Sequence, residues 1–281
     1  MSPRHTPPFF LLPLLAGLLL PPGCGKEDVP ARAEEVKLHL WQNPPTKTSA
    51  VTQLSTVFWG TTTGGDAEGS LPETAEWTVS CVTVTEQTVS TGRYIDAAAP
   101  GTRNYYVANV DFTLEASPSL SAENTTDIVA GRVFGSASSA PSVTLHHIFA
   151  RLGDLTLTPP PEYGISGISW SLQGKEQPFG TAGTYHLSNG TWSGCSGLES
   201  ALSVTSGSDL YLVPGTYTLM CRYTLSRNGN EQEMTAQADV SLQEGKINHI
   251  SGTAAGGSLA DFTVSVEVVP WGPSYLTEEE S

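Results

Sequence analysis

Residues 234–242 read Met-Thr-Ala-Gln-Ala-Asp-Val-Ser-Leu and alternate strictly between apolar and polar side chains. Successive side chains of a β-strand point to opposite faces, so the apolar residues of this stretch share one face. Such alternation is typical of an antiparallel strand that buries one side. Residues 217–225 and 262–268 repeat the pattern. We therefore predict an all-β protein.

The same criteria indicate many further short strands elsewhere in the chain, and no stretch has a convincing helical period. They are predicted at 36–41, 51–59, 76–85, 105–115, 127–134, 143–157, 165–173, 184–192, 209–213 and 246–253. Arg-Asn-Gly-Asn at 227–230 predicts a tight hairpin, and Val-Pro-Gly-Thr at 213–216 predicts a type II turn. This spacing of strands and turns is typical of β-sandwich domains.

A proline-rich connector divides the chain. Residues 158–162 read Thr-Pro-Pro-Pro-Glu, and consecutive prolines cannot donate to a β-ladder. We predict an N-terminal β-sandwich domain at 36–160 and a C-terminal one at 161–281. The strand just before the connector changes its apolar phase midway through residues 143–152, which indicates either a β-bulge or a strand that crosses between sheets.

Composition and net charge narrow the range of functions that the chain can have. The chain has 281 residues, 13 basic and 28 acidic, for a net charge of −15. A surface this acidic repels phosphate backbones and anionic bilayers, so we predict no nucleic-acid partner. The hydrophobic fraction of 38% and charged fraction of 15% argue against a disordered polymer.

The N-terminus has the features of a lipoprotein signal. Residues 9–20 form an apolar run, too short to span a bilayer, that follows Arg4. Pro-Pro-Gly-Cys at 21–24 resembles a bacterial lipobox, in which the cysteine is acylated and the chain is cut before it. We predict a signal peptide at 1–23, lipidation of Cys24 and a tether at 24–35; the alternative is an ordinary signal peptide with an incidental cysteine.

The residues after Cys24 predict where the protein is exported. Lys26, Glu27 and Asp28 resemble the surface-export signal of Bacteroides-type lipoproteins, in which a Lys or Gln precedes acidic residues. This resemblance implies a lipid-anchored protein exposed on the cell outer membrane. The alternative is a solvated, charged tether.

Three cysteines remain after Cys24. Cys81 and Cys221 fall on the apolar phase of their strands and are predicted to lie in the core. Cys195 is predicted in a turn. Inert thiols are the favoured interpretation, and a Cys195–Cys221 bridge is the alternative.

Sites for catalysis or metal binding are not indicated. His146 and His147 are neighbours on a strand and must point to opposite faces, and no nucleophile elbow, metal-ligand spacing or phosphate loop occurs. We predict no enzyme activity, no metal and no cofactor. The tryptophans are predicted to lie mostly in the core, with a glycan-binding face as the alternative; they are Trp41, Trp59, Trp77, Trp170, Trp192 and Trp271.

Several segments, in the same order along the chain, resemble segments of the fimbrillin-like proteins of Bacteroides-type bacteria. They are 124–130 (Asn-Thr-Thr-Asp-Ile-Val-Ala), 145–152 (Leu-His-His-Ile-Phe-Ala-Arg-Leu), 183–192, 212–218, 244–250 and 269–271 (Val-Pro-Trp). The resemblance covers residues 36–271. It implies two tandem transthyretin-like or Ig-like β-sandwiches and a role as a type V pilus subunit, anchor or tip adhesin.

The resemblance also implies an assembly mechanism. In such proteins a protease cuts after a basic residue near the mature N-terminus, the first strand leaves, and a strand of a neighbouring subunit replaces it. Lys47 is the candidate processing site in this chain, and Arg32 is a second candidate. The alternative is a surface loop that is not cleaved, which would suit an anchor. Val36, Leu38 and Leu40 would form the exchanged strand. The alternative function is a monomeric surface lipoprotein or tip adhesin that binds a glycan or a host protein.

Overall fold

The computed structural model describes residues 33–42, 54–63, 79–83, 87–96, 102–114, 118–208, 210–254 and 263–270. Throughout these ranges the regular elements are all β-strands. The prediction of an all-β protein is confirmed. None of the described residues forms a helix long and apolar enough to cross a membrane.

The strands of the first half are β1 (Ala33–Gln42), β2 (Thr56–Thr63), β3 (Ser80–Thr83), β4 (Thr88–Asp96), β5 (Arg103–Ala108), β6 (Ser119–Glu123), β7 (Val129–Ser136), β8 (Ser142–His147) and β9 (Ala150–Thr158). Those of the second half are β10 (Gly164–Glu176), β11 (Ala182–His186), β12 (Thr191–Ser196), β13 (Leu202–Val204), β14 (Leu210–Leu212), β15 (Gly215–Arg227), β16 (Asn230–Leu242), β17 (Lys246–Thr253) and β18 (Thr263–Pro270).

The first core is enclosed by one seven-stranded sheet in the order β3-β2-β5-β7-β8-β1-β4. The strand β8 pairs with β1 through residues 142–145 and with β7 through residues 146–147. Strand β8 therefore changes its pairing partner midway along its length, and the sheet curls around the apolar side chains of the first core. Members of this core include Val36, Leu38, Leu40, Trp59, Tyr105, Val107 and Leu145.

The second core lies between two four-stranded sheets, ordered β13-β10-β15-β16 and β14-β9-β17-β18. The long hairpin of β15 and β16 pairs without interruption from Gly215 opposite Leu242 to Arg227 opposite Asn230. Within residues 234–242 the apolar side chains face this core; four are buried and Ala238 is half-buried. The alternation therefore predicts this strand correctly.

A third sheet, β12-β11-β6, connects the two halves of the chain. Strand β6 pairs with β11 along its whole length. A third apolar cluster packs here and draws on both halves; it includes Tyr106, Phe112, Leu120, Ile148, Phe149, Tyr185 and Val213.

The phase change within residues 143–152 marks a crossing between sheets. Strand β8 belongs to the first sheet, whereas β9 pairs with β14 and β17 in the second sandwich. Sheet membership therefore changes between His147 and Ala150, ahead of the predicted domain boundary at 160. The prolines end β9, but a strand's end does not determine which sheet the strand has joined. The division into two tandem domains stays a prediction.

Of the two turn predictions, one is confirmed and one is wrong. Asn228 and Gly229 have φ angles of 52° and 80°, as a type I′ hairpin turn requires. A type II turn at 213–216 would need a positive φ at Gly215, which is not among the residues with positive φ. Gly215 instead begins β15, where a Cβ atom would lie 2.2 Å from the carbonyl oxygen of Pro178.

Among the cysteines, Cys81, Cys195 and Cys221 are all free. Cys221 is buried as predicted. The prediction for Cys81 is wrong: it is exposed on β3, because Val82 takes the inward position and packs against the first core. Cys195 lies in β12 and not in a turn.

Candidate functional site: the first strand and its groove

The first strand, β1, is an internal strand of its sheet. It pairs in parallel with β8, with His39 opposite Ser142, and antiparallel with β4, with Leu38 opposite Val89. Both of its edges are therefore hydrogen-bonded to neighbours. We call the space that β1 fills between β8 and β4 the β1 groove.

Alternation along β1 explains how it is held. Val36, Leu38 and Leu40 are fully buried in the first core, whereas Lys37 is exposed and His39 is half-buried on the other face. Full burial of each such apolar side chain stabilises the fold by ~1.5–3 kcal/mol. The three side chains predicted for the exchanged strand thus lie together on the inward face of one strand.

Backbone groups on both sides of the groove pair with β1. The amide of Lys37 donates to the carbonyl oxygen of Ser139 at 2.8 Å, and the amide of Leu40 donates to that of Gln87 at 2.9 Å. From the β4 side, the Thr91 hydroxyl donates to the carbonyl oxygen of Val36 at 2.8 Å. A strand that leaves this groove breaks hydrogen bonds along both of its edges.

Side chains add a second set of contacts near the start of β1. The Ser139 hydroxyl donates to a carboxylate oxygen of Glu34 at 2.7 Å, and the amide of Gly92 donates to Glu35 at 3.1 Å. These bonds fix the strand in its register. An empty β1 groove would expose an apolar trough and two unpaired strand edges, which together are a template for another strand.

The remaining predicted site residues lie outside the described residues: Cys24, Lys26, Glu27, Asp28, Arg32 and Lys47. Their order along the chain is still informative. Lys47 comes between the end of β1 at Gln42 and the start of β2 at Thr56, whereas Arg32 precedes Ala33, the first residue of β1. Hydrolysis after Lys47 would separate β1 from the rest of the chain, but hydrolysis after Arg32 would leave it attached.

The two neighbouring histidines make separate contacts, as their strand position predicts. His147 is buried, and its Nδ1 lies 2.7 Å from a carboxylate oxygen of Asp127. His146 Nε2 lies 3.2 Å from the Tyr185 hydroxyl and 3.3 Å from a Glu244 carboxylate oxygen. Burial and the Glu244 charge raise the pKa of Tyr185. Among the described residues, no group of three or more His, Cys, Asp or Glu side chains is arranged so that it could bind a metal ion.

The tryptophans divide between core and surface. Trp59 and Trp170 are buried as predicted, whereas Trp41 on β1 is 38% exposed. Trp192 is half-buried, and its ring centroid lies 5.1 Å from that of Phe149. Trp77 and Trp271 lie outside the described residues.

Sequence reasoning missed one wall of the groove, strand β4. Its residues 88–96 read Thr-Val-Ser-Thr-Gly-Arg-Tyr-Ile-Asp, with Val89 as its inward apolar residue in the first core. The β-branched residues and the tyrosine favour a strand, and this enrichment was the available signal. Apolar alternation is weak because Gly92 and Arg93 interrupt it.

Comparison with known proteins shows which fold this is. No protein-family model and no curated protein matches the sequence. Among solved structures, the chain is similar to a fimbrial protein from Bacteroides vulgatus, with 12% identity and a TM-score of 0.52, over 85% of this chain and 99% of that one. It is also similar to a protein proposed to act in cell adhesion from Parabacteroides distasonis, with 10% identity and a TM-score of 0.54, over 88% and 99%.

Both similarities extend over nearly the whole length of the solved proteins and include strands of both halves of this chain. At these identities the similarities establish the fold alone. The resemblance to fimbrillin-like proteins is thus confirmed at the level of the fold, and the chain has the fold of these Bacteroides-type fimbrial and adhesion-related proteins.

Proposed function

We propose that this chain is a surface-exposed fimbrillin-like lipoprotein, anchored through Cys24 in the outer membrane, that serves as a pilus subunit or pilus anchor. It assembles with other subunits by exchange of β1 and has no enzymatic activity. One observation carries the proposal: β1 is an internal strand whose covalent link to the rest of the sheet lies in a segment that contains Lys47.

The geometry of the β1 groove suits exchange because it provides both affinity and register. Two hydrogen-bonded edges hold the backbone of an incoming strand, and the pockets of Val36, Leu38 and Leu40 select alternating apolar side chains. A chain cut after Lys47 would act as a polymerising subunit of the fimbrium. A chain left intact at Lys47 would keep its own β1 and act as an anchor.

Peptide exchange tests this proposal. The mature chain with Cys24→Ser is cut by limited trypsin and mixed with a fluorescent peptide of residues 33–42. We expect the peptide to bind only after the cut, and Lys47→Gln should abolish binding because β1 then stays tethered. A control peptide with Leu38→Asp and Leu40→Asp should not bind, since charges cannot enter an apolar trough.

Two results would contradict strand exchange. One is equal binding of the peptide to the cut and intact chains. The other is a cut chain that has lost its own residues 33–42, by mass spectrometry, and still does not bind the peptide. The Arg32→Gln variant should behave like the wild type, because a cut after Arg32 leaves β1 attached.

The anchor is tested in cells. Cys24→Ser should move the protein from the membrane fraction to the soluble fraction, because two or three acyl chains provide the stable attachment. Replacing Lys26, Glu27 and Asp28 by alanine should keep it membrane-bound and remove it from the surface, as measured by accessibility to external protease. Membrane attachment that survives Cys24→Ser would refute the lipid anchor.

An alternative function is a monomeric surface lipoprotein or tip adhesin that binds a glycan or a host protein. Two exposed aromatic side chains favour it: Trp41 on β1 and Tyr94 on β4, which is 50% exposed. This alternative requires an intact, uncut β1. Sedimentation of the protein isolated from cells separates the two functions, since a binder stays monomeric and a processed subunit forms oligomers.

A further inference from the structure

The three apolar pockets of the β1 groove do not by themselves define which strand can fill them. They hold Val36, Leu38 and Leu40, and any strand with three alternating apolar residues presents the same pattern. Residues 217–225 of this chain, for example, present it as well. Selection among strands therefore requires contacts outside the three pockets.

A bulge in β4 provides one such contact. The register between β1 and β4 shifts between Glu35 and Lys37, so three residues of β4, 91–93, face a single residue of β1. Gly92, at the centre of this bulge, has a φ of 66°, in the left-handed region that favours glycine. Its amide donates to a carboxylate oxygen of Glu35 at 3.1 Å. The bulge thus directs a backbone donor at an acidic side chain of the strand in the groove.

The threonine in the same bulge binds the backbone of β1. The Thr91 hydroxyl accepts from the amide of Arg93 at 3.2 Å and donates to the carbonyl oxygen of Val36 at 2.8 Å. Every strand has a carbonyl group at this position, whatever its side chains. Thr91 therefore contributes affinity without selectivity.

The segment between β7 and β8 provides a second contact with an acidic side chain. The Ser139 hydroxyl donates to a carboxylate oxygen of Glu34 at 2.7 Å. Two hydrogen bonds hold this segment in place: the hydroxyl of the buried Tyr105 donates to the carbonyl oxygen of Ser138, and the amide of Ala140 donates to the Ser138 hydroxyl, both at 3.0 Å. The donor at Ser139 is therefore pre-organised for its acceptor.

From this arrangement we propose that Gly92 and Ser139 form an acid-binding end of the β1 groove. This end selects strands that carry two adjacent carboxylates immediately before three alternating apolar residues. The occupant is a strand of another subunit, so the selection rests on the strand exchange proposed above. Hydrogen bonds to a carboxylate are stronger than those between neutral groups, and a strand without the two acids loses both of them.

The acid nearer the start of the strand also opposes a slipped register. Glu34 has the same phase as Val36 but lies before the pockets and is exposed. A slip of two residues keeps the alternation in phase, but in one direction it moves the Glu34 carboxylate into the apolar pocket of Val36. Burial of an unpaired charge is costly, so the same acid that favours the correct register disfavours this slipped one.

Competition between peptides tests the selection. The mature chain with Cys24→Ser is cut after Lys47 by limited trypsin, the protease is inhibited, and binding of fluorescent peptides of residues 33–42 is followed by anisotropy. We expect a peptide with Glu34→Ala and Glu35→Ala to bind about tenfold more weakly than the wild-type peptide, because it lacks two hydrogen bonds at an accessible site. Long-range charge predicts the opposite order, since the chain is strongly acidic and repels the more acidic peptide.

A third peptide controls for net charge. It has the same two alanine substitutions and two glutamates appended after Gln42, so its net charge equals that of the wild-type peptide. We expect it to bind no better than the peptide without the acids. Binding as tight as that of the wild-type peptide would show that the position of the acids does not matter, and would overturn the proposal.

Variants of the chain identify the groups that select. Ser139→Ala should reduce the preference for the wild-type peptide to about threefold, half of it on a logarithmic scale, and leave the affinity for the peptide without acids unchanged. Ser90→Ala is the matched control, at an exposed serine of β4 opposite Lys37, and should keep the full preference. Thr91→Val should weaken both peptides by the same factor.

The remaining outcomes separate this selection from strand exchange itself. Equal affinity for the wild-type peptide and the peptide without acids overturns the selection and leaves strand exchange intact. A preference that is unchanged in Ser139→Ala also overturns it. If no peptide binds the cut chain, strand exchange fails and the selection fails with it.

Discussion

At the scale of single residues, burial controls the chemistry of the thiols and phenols. The Tyr217 hydroxyl donates to the carbonyl oxygen of Val213 at 2.5 Å and accepts from the amide of Gly180 at 3.2 Å. Burial raises the pKa of Tyr217, and it raises that of the Cys221 thiol to about 12. Cys81 is exposed on β3. We therefore expect thiols to differ in reactivity according to their burial.

Thiol labelling measures this difference directly. In the Cys24→Ser chain at pH 8, we expect a maleimide to modify Cys81 first. Cys195, whose pKa burial also raises, should react more slowly, and Cys221 only after urea unfolds the protein. Cys81→Ala serves as the control and should abolish the fast phase. Fast labelling of Cys221 in the folded chain would contradict its burial.

Stability should fall at alkaline pH. The folded chain holds the Cys221 thiol protonated up to a pKa of about 12, whereas the ordinary value is 9.0, and the pKa values of Tyr185 and Tyr217 also exceed their ordinary 10.0. Above pH 9 the unfolded chain loses protons that the folded chain keeps, so alkali favours unfolding.

Urea midpoints measured from pH 8 to pH 11 check this. We expect a steady decrease, and a shallower one for Tyr217→Phe, which has no phenol to ionise. Tyr94→Phe, an exposed control, should follow the wild type. A midpoint that is constant with pH would contradict the burial of these groups.

At the scale of elements, the pairing of β6 with β11 joins the two halves of the chain. Leu120 on β6 is 2% exposed and lies opposite Tyr185, and both belong to the third apolar cluster. Ala122 lies opposite Gly183, where an added Cβ would approach the Cys195 sulfur to 3.0 Å. The two halves of the chain therefore meet in tightly packed side chains, through which we expect the first and second cores to be coupled.

Truncation of Leu120 should uncouple the two cores. We expect Leu120→Ala to destabilise the protein by about 2–5 kcal/mol, as is usual for a buried leucine. By hydrogen-exchange mass spectrometry, β5 and β15 should open together in the wild type and separately in the variant. Leu202→Ala, at a 37% exposed site on β13, should change neither property. Separate opening already in the wild type would refute the coupling.

The sequence predicts elements well where alternation is long and regular, as in β15, β16 and β1. It fails at β4, β6 and β13, where short or glycine-interrupted strands leave little periodic signal. The phase change in residues 143–152 indicates either a β-bulge or a crossing between sheets, and the structure has the crossing. Local pattern cannot say which sheet β9 joins. That choice depends on the ladder with β17, whose residues lie far along the chain.

In the candidate site, too, local sequence pattern predicts some features and misses others. Val36, Leu38 and Leu40 follow from their alternation, since burial of one face is a local property. The internal position of β1 does not follow from local alternation, because it depends on pairing with β4 and β8, which come from distant parts of the sequence.

At the scale of the whole molecule, charge governs encounters between copies. Each chain has a net charge of −15, so two copies repel each other before any strand can be exchanged. The range of this repulsion falls from about 30 Å at 0.01 M salt to about 8 Å at 0.15 M. Assembly should therefore be limited by electrostatics at low ionic strength.

Light scattering of the chain cut after Lys47 checks this expectation. The rate of oligomer growth should rise with sodium chloride between these two concentrations, because screening removes the repulsion. Binding of the short peptide 33–42, which carries far less charge, should depend on salt much less. A growth rate that falls with added salt would indicate attraction between oppositely charged patches instead.

The internal position of β1 also determines how a joint between two subunits would respond to tension. A donated strand in the β1 groove would lie parallel to β8 and antiparallel to β4, bonded along both edges. A pull along that strand loads both ladders in shear, so many hydrogen bonds resist together. A strand at a sheet edge, peeled sideways, would release its bonds one after another. A fibre built through this groove would resist flow along its axis most strongly.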